Sequence, residues 1–272
     1  MTYPLREMVA ATRAMAKGEY DVAVTATSRD EVGELAQAFN SMSQQLAEVD
    51  RFRRDLVANA SHELRTPLSA LRARLENLVA GVEQADRAAL AESLGQVERL
   101  GHLVEQLLDL SRLESGAVPL ERTEIPVLQL FERAVAEWRG HADSRNVQLE
   151  SFALPADLTL RVDPGRMHQV LGNLVANAIR HSPEAGRVVL TARANNGRPL
   201  VEVVDDGPGI PADELERVFE RFYRSDRARS ADEGGAGLGL AIARWIVELH
   251  GGSIAAAEAN PHGCRIVVEL PG

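Results

Sequence analysis

The sequence is poor in cysteine and in long apolar runs, and both shortages exclude whole classes of protein. A single cysteine, Cys264, permits neither an intramolecular disulfide framework nor a cysteine-based zinc site, which fits a reducing compartment. No stretch approaches the roughly 18 consecutive apolar residues of a membrane span, and no signal peptide is recognisable. The opening residues 1–4 run straight into a helical pattern, as they would in a chain cut just after a membrane span.

Basic residues are also in the minority: 30 Lys and Arg stand against 40 Asp and Glu, which gives a formal net charge of −10. Because DNA is a polyanion, it repels so acidic a chain, and any link to transcription would pass through another protein. Apolar residues make up 45% and charged residues 26% of the 272 residues. Those fractions are ordinary for a folded soluble protein of two or three small domains.

Residues 1–48 carry two helical patterns separated by an extended connector. Gly18 ends the first helix, and Asp30 and Glu31 open the second, where acidic side chains suit the positive end of the helix dipole. The first apolar seam comprises Leu5, Met8, Thr12 and Met15. The second seam alternates steps of four and three, which is typical of a coiled coil and also of an ordinary amphipathic bundle helix. It comprises Leu35, Phe39, Met42, Leu46, Val49, Phe52 and Leu56.

Residues 50–80 and 86–114 have the pattern of two long amphipathic helices around a break near Gly81. The apolar positions of the second helix are Leu90, Leu94, Val97, Leu100, Val104, Leu107, Leu110 and Leu113. A helical hairpin of this kind cannot cover its own apolar stripe. Pairing with a second copy predicts a four-helix bundle in a homodimer.

After Ser115 and Gly116 the pattern changes to short β-type runs that alternate with helical stretches. The β-type runs lie at 147–152, 158–162, 187–194, 199–205, 252–257 and 264–270, and the helical stretches at 126–143, 164–181 and 237–250. This mixture predicts an α/β sandwich in which one sheet is backed by helices. A polar run at 223–236 has no periodicity and predicts a mobile loop.

One histidine, His62, lies in the segment Ser-His-Glu-Leu-Arg-Thr-Pro-Leu at 61–68, inside the first hairpin helix. Pro67 removes the hydrogen bond to the carbonyl of Glu63, so we expect a local bend there. A zinc-protease motif would need a second histidine at position 66, and Thr66 occupies that position. A lone helical histidine is usually an ordinary surface or bundle residue, so the segment alone does not assign a role to His62.

Two further groups of residues lie in the second half of the chain. Asn173 and Asn177 share one face of a helix, where paired amides could cap a core or hold hydrated Mg²⁺ with phosphates. Asp205 ends a β-type run and leads into the glycine turn of residues 206–209, which permits close approach of a ligand to the backbone. A simple reverse turn would explain that segment about as well.

A glycine cluster at 234–239 opens the helical stretch that follows, and a helix start of this kind offers unpaired N–H groups to phosphate. Its spacing is G-x-G-x-G, and it follows a charged loop where a dinucleotide fingerprint needs a strand. No lysine follows the glycines, so the common ATP-binding P-loop is also absent.

Taken together and in this order, the segments resemble the histidine kinases of two-component signalling. They match the H, N, D-x-G-x-G, F and G-x-G boxes of that family, and the match covers residues 50–272. Residues 4–48 resemble a HAMP linker, with Asp30-Glu31-x-Gly33 opening its second helix. The resemblance implies a HAMP-like signal linker at 1–48, a dimerisation and histidine phosphotransfer domain at 49–116, and a catalytic ATP-binding domain at 117–272.

The resemblance also implies a role for each matching residue in the phosphotransfer domain. His62 is the expected phosphoacceptor, because a neutral imidazole is a competent nucleophile near pH 7. Glu63 is the expected acid–base partner of its ring, and Thr66 matches the position that, in related kinases, positions water for dephosphorylation of the partner protein.

In the nucleotide domain the resemblance implies that Asp205 recognises the adenine amino group and that Asn177 holds Mg²⁺. Asn173 and Arg180 are expected to face the phosphates of ATP. Further nucleotide-binding positions are Gly207 and Gly209 at the adenine end, Gly235, Gly237, Leu238 and Gly239 at the phosphate end, and Phe219 and Phe222 as the anchor of the ATP lid.

The function implied is autophosphorylation on His62, followed by phosphoryl transfer to an aspartate of a response regulator. Phosphatase activity on the regulator is a further expectation. Two rival readings are a non-kinase ATPase of the same nucleotide-binding superfamily and a catalytically silent dimeric scaffold. Non-kinase ATPases of that superfamily lack the hairpin motif found at 61–68. The intact nucleotide motifs argue against a catalytically silent scaffold. Asp206 and His181 replace a commoner asparagine and tyrosine, and neither replacement removes a needed function.

The implied location is the cytoplasmic part of an inner-membrane sensor protein, with membrane contact only through a preceding span. A hinge near 114–118 is expected to let the nucleotide domain swing towards His62, since more than a hundred residues separate the two.

Overall fold

The structure is a computed structural model that describes residues 2–25, 30–114, 119–195, 198–224, 237–259 and 262–271. By its internal contacts the chain divides into two compact units, residues 1–96 and residues 97–272. The first unit is helical, and the second contains the end of a long helix and a mixed α/β fold. Of the helices in the described ranges, none has both the length and the apolar run needed to cross a membrane.

Three helices build the first unit, and the second of them carries His62. They are α1 (Thr2–Met15), α2 (Glu31–Val79) and the first part of α3 (Arg87–Glu114). The carboxylate of Asp30 caps α2 by accepting the N–H of Gly33 at 3.2 Å, and Glu31 and Glu34 occupy its first turn. The helix continues through Pro67 without interruption. The second helical pattern of residues 1–48 and the His62 segment therefore lie on one helix.

The connector between α1 and α2 is tied to α2 by side chains that imitate backbone pairing. The amide of Asn40 donates to the carbonyl of Val24 at 2.9 Å and accepts the N–H of the same residue at 2.8 Å. The hydroxyl of Ser43 lies 2.6 Å from the carbonyl oxygen of Tyr20 and 2.8 Å from that of Val22. These contacts fix the position of the connector along α2.

The buried face between α1 and α2 differs from the predicted seam of α1 at two residues, Thr12 and Leu5. Its core comprises Met8, Ala11, Met15, Val24, Ala36 and Phe39. Ala11, not Thr12, belongs to this core, and the hydroxyl of Thr12 instead donates to the carbonyl of Met8 at 2.8 Å. Leu5 is exposed.

Most of the predicted apolar stripe of α2 and α3 is exposed in the single chain. Exposed members are Leu35, Met42, Leu46, Val49, Leu90, Leu94, Val97 and Val104. The side chains of Phe52, Leu110 and Leu113 lie outside the described residues. The exposed stripe is what a hairpin that cannot cover itself should display.

The second unit has a two-layer α/β fold. Its elements after α3 are β1 (Thr123–Pro126), α4 (Val127–Ser144), β2 (Gln148–Leu154), β3 (Thr159–Val162), α5 (Pro164–His181), β4 (Arg187–Asn195), β5 (Arg198–Asp205), a single 3-10 turn (Arg217–Phe219), α6 (Gly239–Leu249), β6 (Ser253–Glu258) and β7 (Cys264–Glu269). Five strands form a sheet in the order β2-β4-β5-β7-β6, antiparallel except between β2 and β4.

Helices α4, α5 and α6 contribute the apolar side chains that cover one face of this sheet. Alternate residues of the central strands point towards the helices and are buried, as Leu190 of β4 and Val203 of β5 illustrate. The helical region followed by an α/β sandwich confirms the predicted fold class. One detail differs, since the run predicted at 158–162 does not join the main sheet. It pairs with β1 in a separate two-stranded sheet. The sequence did not predict this pairing, because β1 is too short to be recognised from its pattern.

Two segments singled out in the sequence lie at the limits of the description. Residues 115–118 of the expected hinge and residues 225–236 of the expected mobile loop lie outside the described residues. Of these two segments, the structure therefore describes only residue 114 and residues 223–224.

His250, just after α6, is a buried histidine that links two helices. Its side chain is 1% exposed, its Nε2 accepts the N–H of Asp163 at 3.0 Å, and its Nδ1 lies 2.7 Å from the carbonyl oxygen of Ile246. One nitrogen accepts and the other donates, which requires a neutral ring. Burial, the largest cause, and the charge of Arg122 lower the pKa of His250 below its usual 6.5, against the opposing effects of Ile246 and Asp163.

We predict that His250 makes the stability of the second unit depend on pH below 6.5, its ordinary pKa. Because the folded protein keeps the ring neutral, the unfolded chain binds the proton first as the pH falls. The contribution of His250 is therefore complete above 6.5 and is lost as the pH drops towards its lowered pKa. Substitution His250→Leu should reduce the free energy of unfolding by about 1–3 kcal/mol near pH 7.5, and by less near pH 5.5.

Urea unfolding followed by tryptophan fluorescence measures this difference, since Trp138 and Trp245 both belong to the second unit. The exposed His262 provides the matched control, and His262→Gln should change the free energy of unfolding by no more than about 0.5 kcal/mol. A destabilisation by His250→Leu that is equal at the two pH values would contradict the prediction.

Candidate functional site

His62 is exposed on α2 and presents its ring to solvent. Glu63 beside it is half-buried, and Thr66 lies one turn further along the helix, with its hydroxyl 3.4 Å from the carbonyl oxygen of His62. The i and i+4 spacing places His62 and Thr66 on the same face. A nucleophile, a carboxylate and a hydroxyl are thus displayed within one turn and are accessible to another domain or protein.

Asp205 is a buried carboxylate at the end of β5. Its Oδ1 accepts the N–H of Gly207 at 2.9 Å and the N–H of Cys264 at 3.2 Å. Burial, the largest cause, and the neighbouring charge of Asp206 raise the pKa of Asp205, while the two backbone N–H groups act in the opposite direction. The hydrogen bonds fix the orientation of the carboxylate.

Glycines are required around Asp205 because its neighbours leave no space for a Cβ atom. A Cβ at Gly207 would lie 2.6 Å from Oδ1 of Asp205 and 2.8 Å from the carbonyl oxygen of His181. A Cβ at Gly263 would lie 1.8 Å from the carbonyl oxygen of Asp205, and Gly263 also has a φ of +108°. Gly209 takes a φ of +74° and packs against Gly263. The turn after β5 and the β6–β7 connection therefore meet backbone to backbone.

Asn173 and Asn177 lie half-buried on α5, in the order the sequence predicts. The Nδ2 atom of Asn173 is buried and has no hydrogen-bond partner within the described part of the chain. A Cβ at Gly239 would lie 3.5 Å from Oδ1 of Asn173, so the start of α6 passes directly beside this amide. A buried donor without a partner is costly unless a ligand satisfies it, which favours the phosphate-side interpretation over a core cap.

The two ends of the polar loop are joined close to this amide. Phe222, with a φ of +61°, donates its N–H to the carbonyl of Gly237 at 2.9 Å. A Cβ at Gly237 would lie 2.7 Å from the carbonyl oxygen of Tyr223. Phe219 is buried with the guanidinium of Arg244 5.9 Å from its ring, and Leu238 is fully buried before α6 begins. The residues that flank the polar loop are thus in contact with each other.

Two groups of predicted residues are therefore brought together within the second unit. Asp205, Gly207 and Gly209 form one, and Asn173, Phe222, Gly237 and Gly239 the other. Arg180 lies half-buried in the last turn of α5, and Gly235 lies outside the described residues. His62, Glu63 and Thr66 belong to the first unit. The unpartnered amide, the glycine-lined backbone and the buried carboxylate offer hydrogen-bonding groups and close backbone approach, as a nucleotide site requires.

Four residues that matter for this arrangement were missed by sequence reasoning. They are Asp163, His250, Gly263 and Cys264. Gly263 could have been suspected, since a glycine between two β-type runs often marks a turn with positive φ. The backbone N–H of Cys264 and the ring of His250 bind partners that are far away along the sequence. No local sequence pattern predicts such contacts.

Comparison with known proteins places these parts in one family. Three family models match in succession: "HAMP domain" at residues 1–48, "His Kinase A (phospho-acceptor) domain" at residues 52–116, and "Histidine kinase-, DNA gyrase B-, and HSP90-like ATPase" at residues 162–272. The last match implies that the second unit binds ATP. These three matches have the same order as the helical linker, the hairpin and the α/β fold.

Individual relatives agree with the family models. The signal transduction histidine-protein kinase BaeS of Escherichia coli is 37% identical over 268 residues, which are 98% of this chain and 57% of that protein. The Acinetobacter baumannii histidine kinase AdeS matches in structure with a TM-score of 0.64 at 27% identity, over 77% of this chain and 96% of that one.

The histidine kinase ThkA, solved in complex with the response regulator protein TrrA, matches with a TM-score of 0.65 at 26% identity. The match covers 83% of this chain and 65% of that one. This chain spans between about a third and three fifths of the length of the curated relatives that it matches. On the family models, the relatives and the fold together, the chain belongs to the two-component sensor histidine kinases.

Proposed function

We propose that this chain transfers the γ-phosphoryl group of ATP to His62 and then passes it to an aspartate of a response regulator. The observation that carries the proposal is the buried Asp205 carboxylate, which is oriented by the N–H groups of Gly207 and Cys264 and lies beside glycines that leave no space for a Cβ atom. An exposed histidine on a family-typical hairpin supplies the acceptor. The complex of ThkA with a response regulator supports the second step.

Nucleotide recognition is assigned to groups with complementary chemistry. Asp205 accepts a hydrogen bond from the adenine amino group, and Gly207 and Gly209 let the base approach the backbone. On the phosphate side, Asn173 donates from its unpartnered Nδ2, and Arg180 neutralises charge. The N–H groups at the start of α6 and at Gly235, Gly237 and Leu238 add backbone donors, while Phe219 and Phe222 anchor the lid over them.

Asn177 would hold Mg²⁺ through its amide oxygen, and the ion would neutralise phosphate charge and orient the γ-phosphoryl group. Its neighbour Asn173 fits this assignment, because one helix face then presents both amides to the phosphates. The protein itself contributes mainly position and charge, which is what phosphoryl transfer requires.

In the transfer itself, one imidazole nitrogen of His62 forms a bond to the γ-phosphorus while the bond to the β–γ bridging oxygen breaks, and ADP leaves. Glu63 orients the ring and accepts the proton from its other nitrogen. The phosphoryl group then moves from His62 to a regulator aspartate. Thr66, on the same helix face, positions water for the dephosphorylation of that aspartate.

The three-part division at residues 48 and 116 is retained in this proposal, with the exposed apolar stripe of α2 and α3 covered by a second copy in a four-helix bundle. The HAMP match supports a role of residues 1–48 as the linker to a sensor. We place the chain on the cytoplasmic side of the inner membrane, as part of a membrane sensor protein.

The substitution His62→Gln should abolish phosphorylation of the protein, since glutamine is uncharged and similar in length but is not a nucleophile. Incubation with γ-labelled ATP and Mg²⁺ should give acid-labile, base-stable label on the wild type alone. His168→Gln, which also removes a helical histidine, is the matched control and should retain the label. Label that persists in His62→Gln would exclude His62, and free phosphate without phosphoprotein would indicate a non-kinase ATPase.

The substitution Asp205→Asn should lower the affinity for ATP by about tenfold to a hundredfold, the cost of a lost hydrogen bond to a charged acceptor. Asparagine can still accept the N–H groups of Gly207 and Cys264, so the fold should survive. The adjacent Asp206→Asn is the control, because Asp206 bonds the backbone of Arg187 instead. Calorimetric titration with a non-hydrolysable ATP analogue measures both, and equal affinities for the two variants would contradict the assignment.

A further inference from the structure

Tyr223, the first residue of the polar run at 223–236, lies beneath a guanidinium group. The Cζ atom of Arg217 is 4.8 Å from the centroid of the Tyr223 ring, which is the geometry of a cation–π contact. Arg217 also faces Glu220, but its Nε lies 4.0 Å from Oε1 and both side chains are more than half exposed. An exposed ion pair at that distance contributes little. Since the ring of Tyr223 is half-buried, stacking on it is the stronger of the two contacts.

The backbone of Tyr223 in turn packs against Gly237, on the other side of the polar run. A Cβ at Gly237 would lie 2.7 Å from the carbonyl oxygen of Tyr223 and 2.8 Å from the carbonyl carbon of Phe222. The N–H of Phe222 donates to the carbonyl of Gly237 at 2.9 Å, and the N–H of Tyr223 donates to the carbonyl of Glu220 at 3.3 Å. Because no side chain separates these backbones, a shift of Tyr223 must displace Gly237.

The residues after Gly237 lie beside the unpartnered amide of α5. Leu238 is fully buried, and Gly239 begins α6. A Cβ at Gly239 would lie 3.5 Å from Oδ1 of Asn173, whose Nδ2 has no hydrogen-bond partner within the described ranges. A displacement of Gly237 therefore changes the direction of the N–H groups at the start of α6.

We propose that Arg217 is a positioning residue for ATP. Its stack on Tyr223 holds Gly237 in place, so that the N–H groups at the start of α6 face the phosphates. The inference rests on the proposed function, which assigns those N–H groups to phosphate. Arg217 acts through Tyr223 and does not itself touch ATP. Loss of the stack should therefore weaken binding of the phosphates and leave the adenine end at Asp205 unchanged.

The binding test uses Arg217→Gln, which keeps a long polar side chain and removes the charge. Affinity for a non-hydrolysable ATP analogue should fall about twofold to fivefold, the range for one largely exposed cation–π contact. Affinity for adenosine, measured by NMR titration, should not change, because adenosine has no phosphates. Arg161→Gln, at an exposed arginine of β3, is the matched control and should leave both affinities unchanged. An unchanged affinity for the ATP analogue, or an equal loss for adenosine, would overturn the proposal.

Substitutions of the aromatic ring separate stacking from the general effect of removing a positive charge. Tyr223→Leu should reduce the affinity for the ATP analogue as much as Arg217→Gln does, whereas Tyr223→Phe keeps the ring and should stay close to the wild type. The double variant Arg217→Gln with Tyr223→Leu should lose no more than either single variant, since all three remove the same contact. Additive losses would refute the proposal, and so would equal losses for Tyr223→Phe and Tyr223→Leu.

Amide hydrogen exchange tests the same contact without nucleotide. The N–H of Phe222 is bonded to Gly237, so Arg217→Gln should speed its exchange by about twofold to fivefold, while Arg161→Gln should not. An unchanged exchange rate would show that Arg217 does not hold Gly237. If the wild type binds no ATP analogue, the proposed function fails, and the role of Arg217 towards ATP fails with it. Normal binding by the wild type with unchanged exchange in Arg217→Gln refutes only the role of Arg217.

Discussion

The nucleotide side of this protein depends on a carboxylate buried among backbone atoms. Burial of a charge is costly unless hydrogen bonds satisfy it, and Asp205 is satisfied by two N–H groups from different parts of the chain. The end of β5, the start of β7 and the last residue of α5 can meet there only because Gly207 and Gly263 have no side chains. The site is therefore a consequence of the sheet order β5-β7-β6 as much as of the D-x-G-x-G segment.

Two antiparallel helices, α5 and α6, carry other residues that the proposal assigns to the nucleotide. Gly239 at the start of α6 lies beside Asn173 of α5, and at the opposite end His250 binds the backbone of Asp163. The two helices are thus joined by a glycine contact at the start of α6 and by a neutral histidine just after its end. A shift at one of these two contacts is therefore transmitted to the other, since closely packed helices move as rigid bodies.

Sequence patterns could predict what depends on near neighbours. The long helices, most of the strands, the α/β class and the order of the motifs follow from periodicity and from glycine placement. Contacts between distant segments could not be read in this way: the pairing of β1 with β3, the role of Gly263 and the ring of His250 each depend on a partner far along the chain. The error at Thr12 has a different origin. Positions 11 and 12 both suit a helical period, so the sequence pattern does not decide which of them joins the core that contains Ala36 and Phe39.

The helical unit has a different requirement, which is rigidity along the axis of α2. Because α2 runs from Glu31 to Val79, the connector contacts of Asn40 and Ser43 act on the same rod that carries His62. A rotation or shift of that rod would therefore change the direction in which the exposed His62 faces.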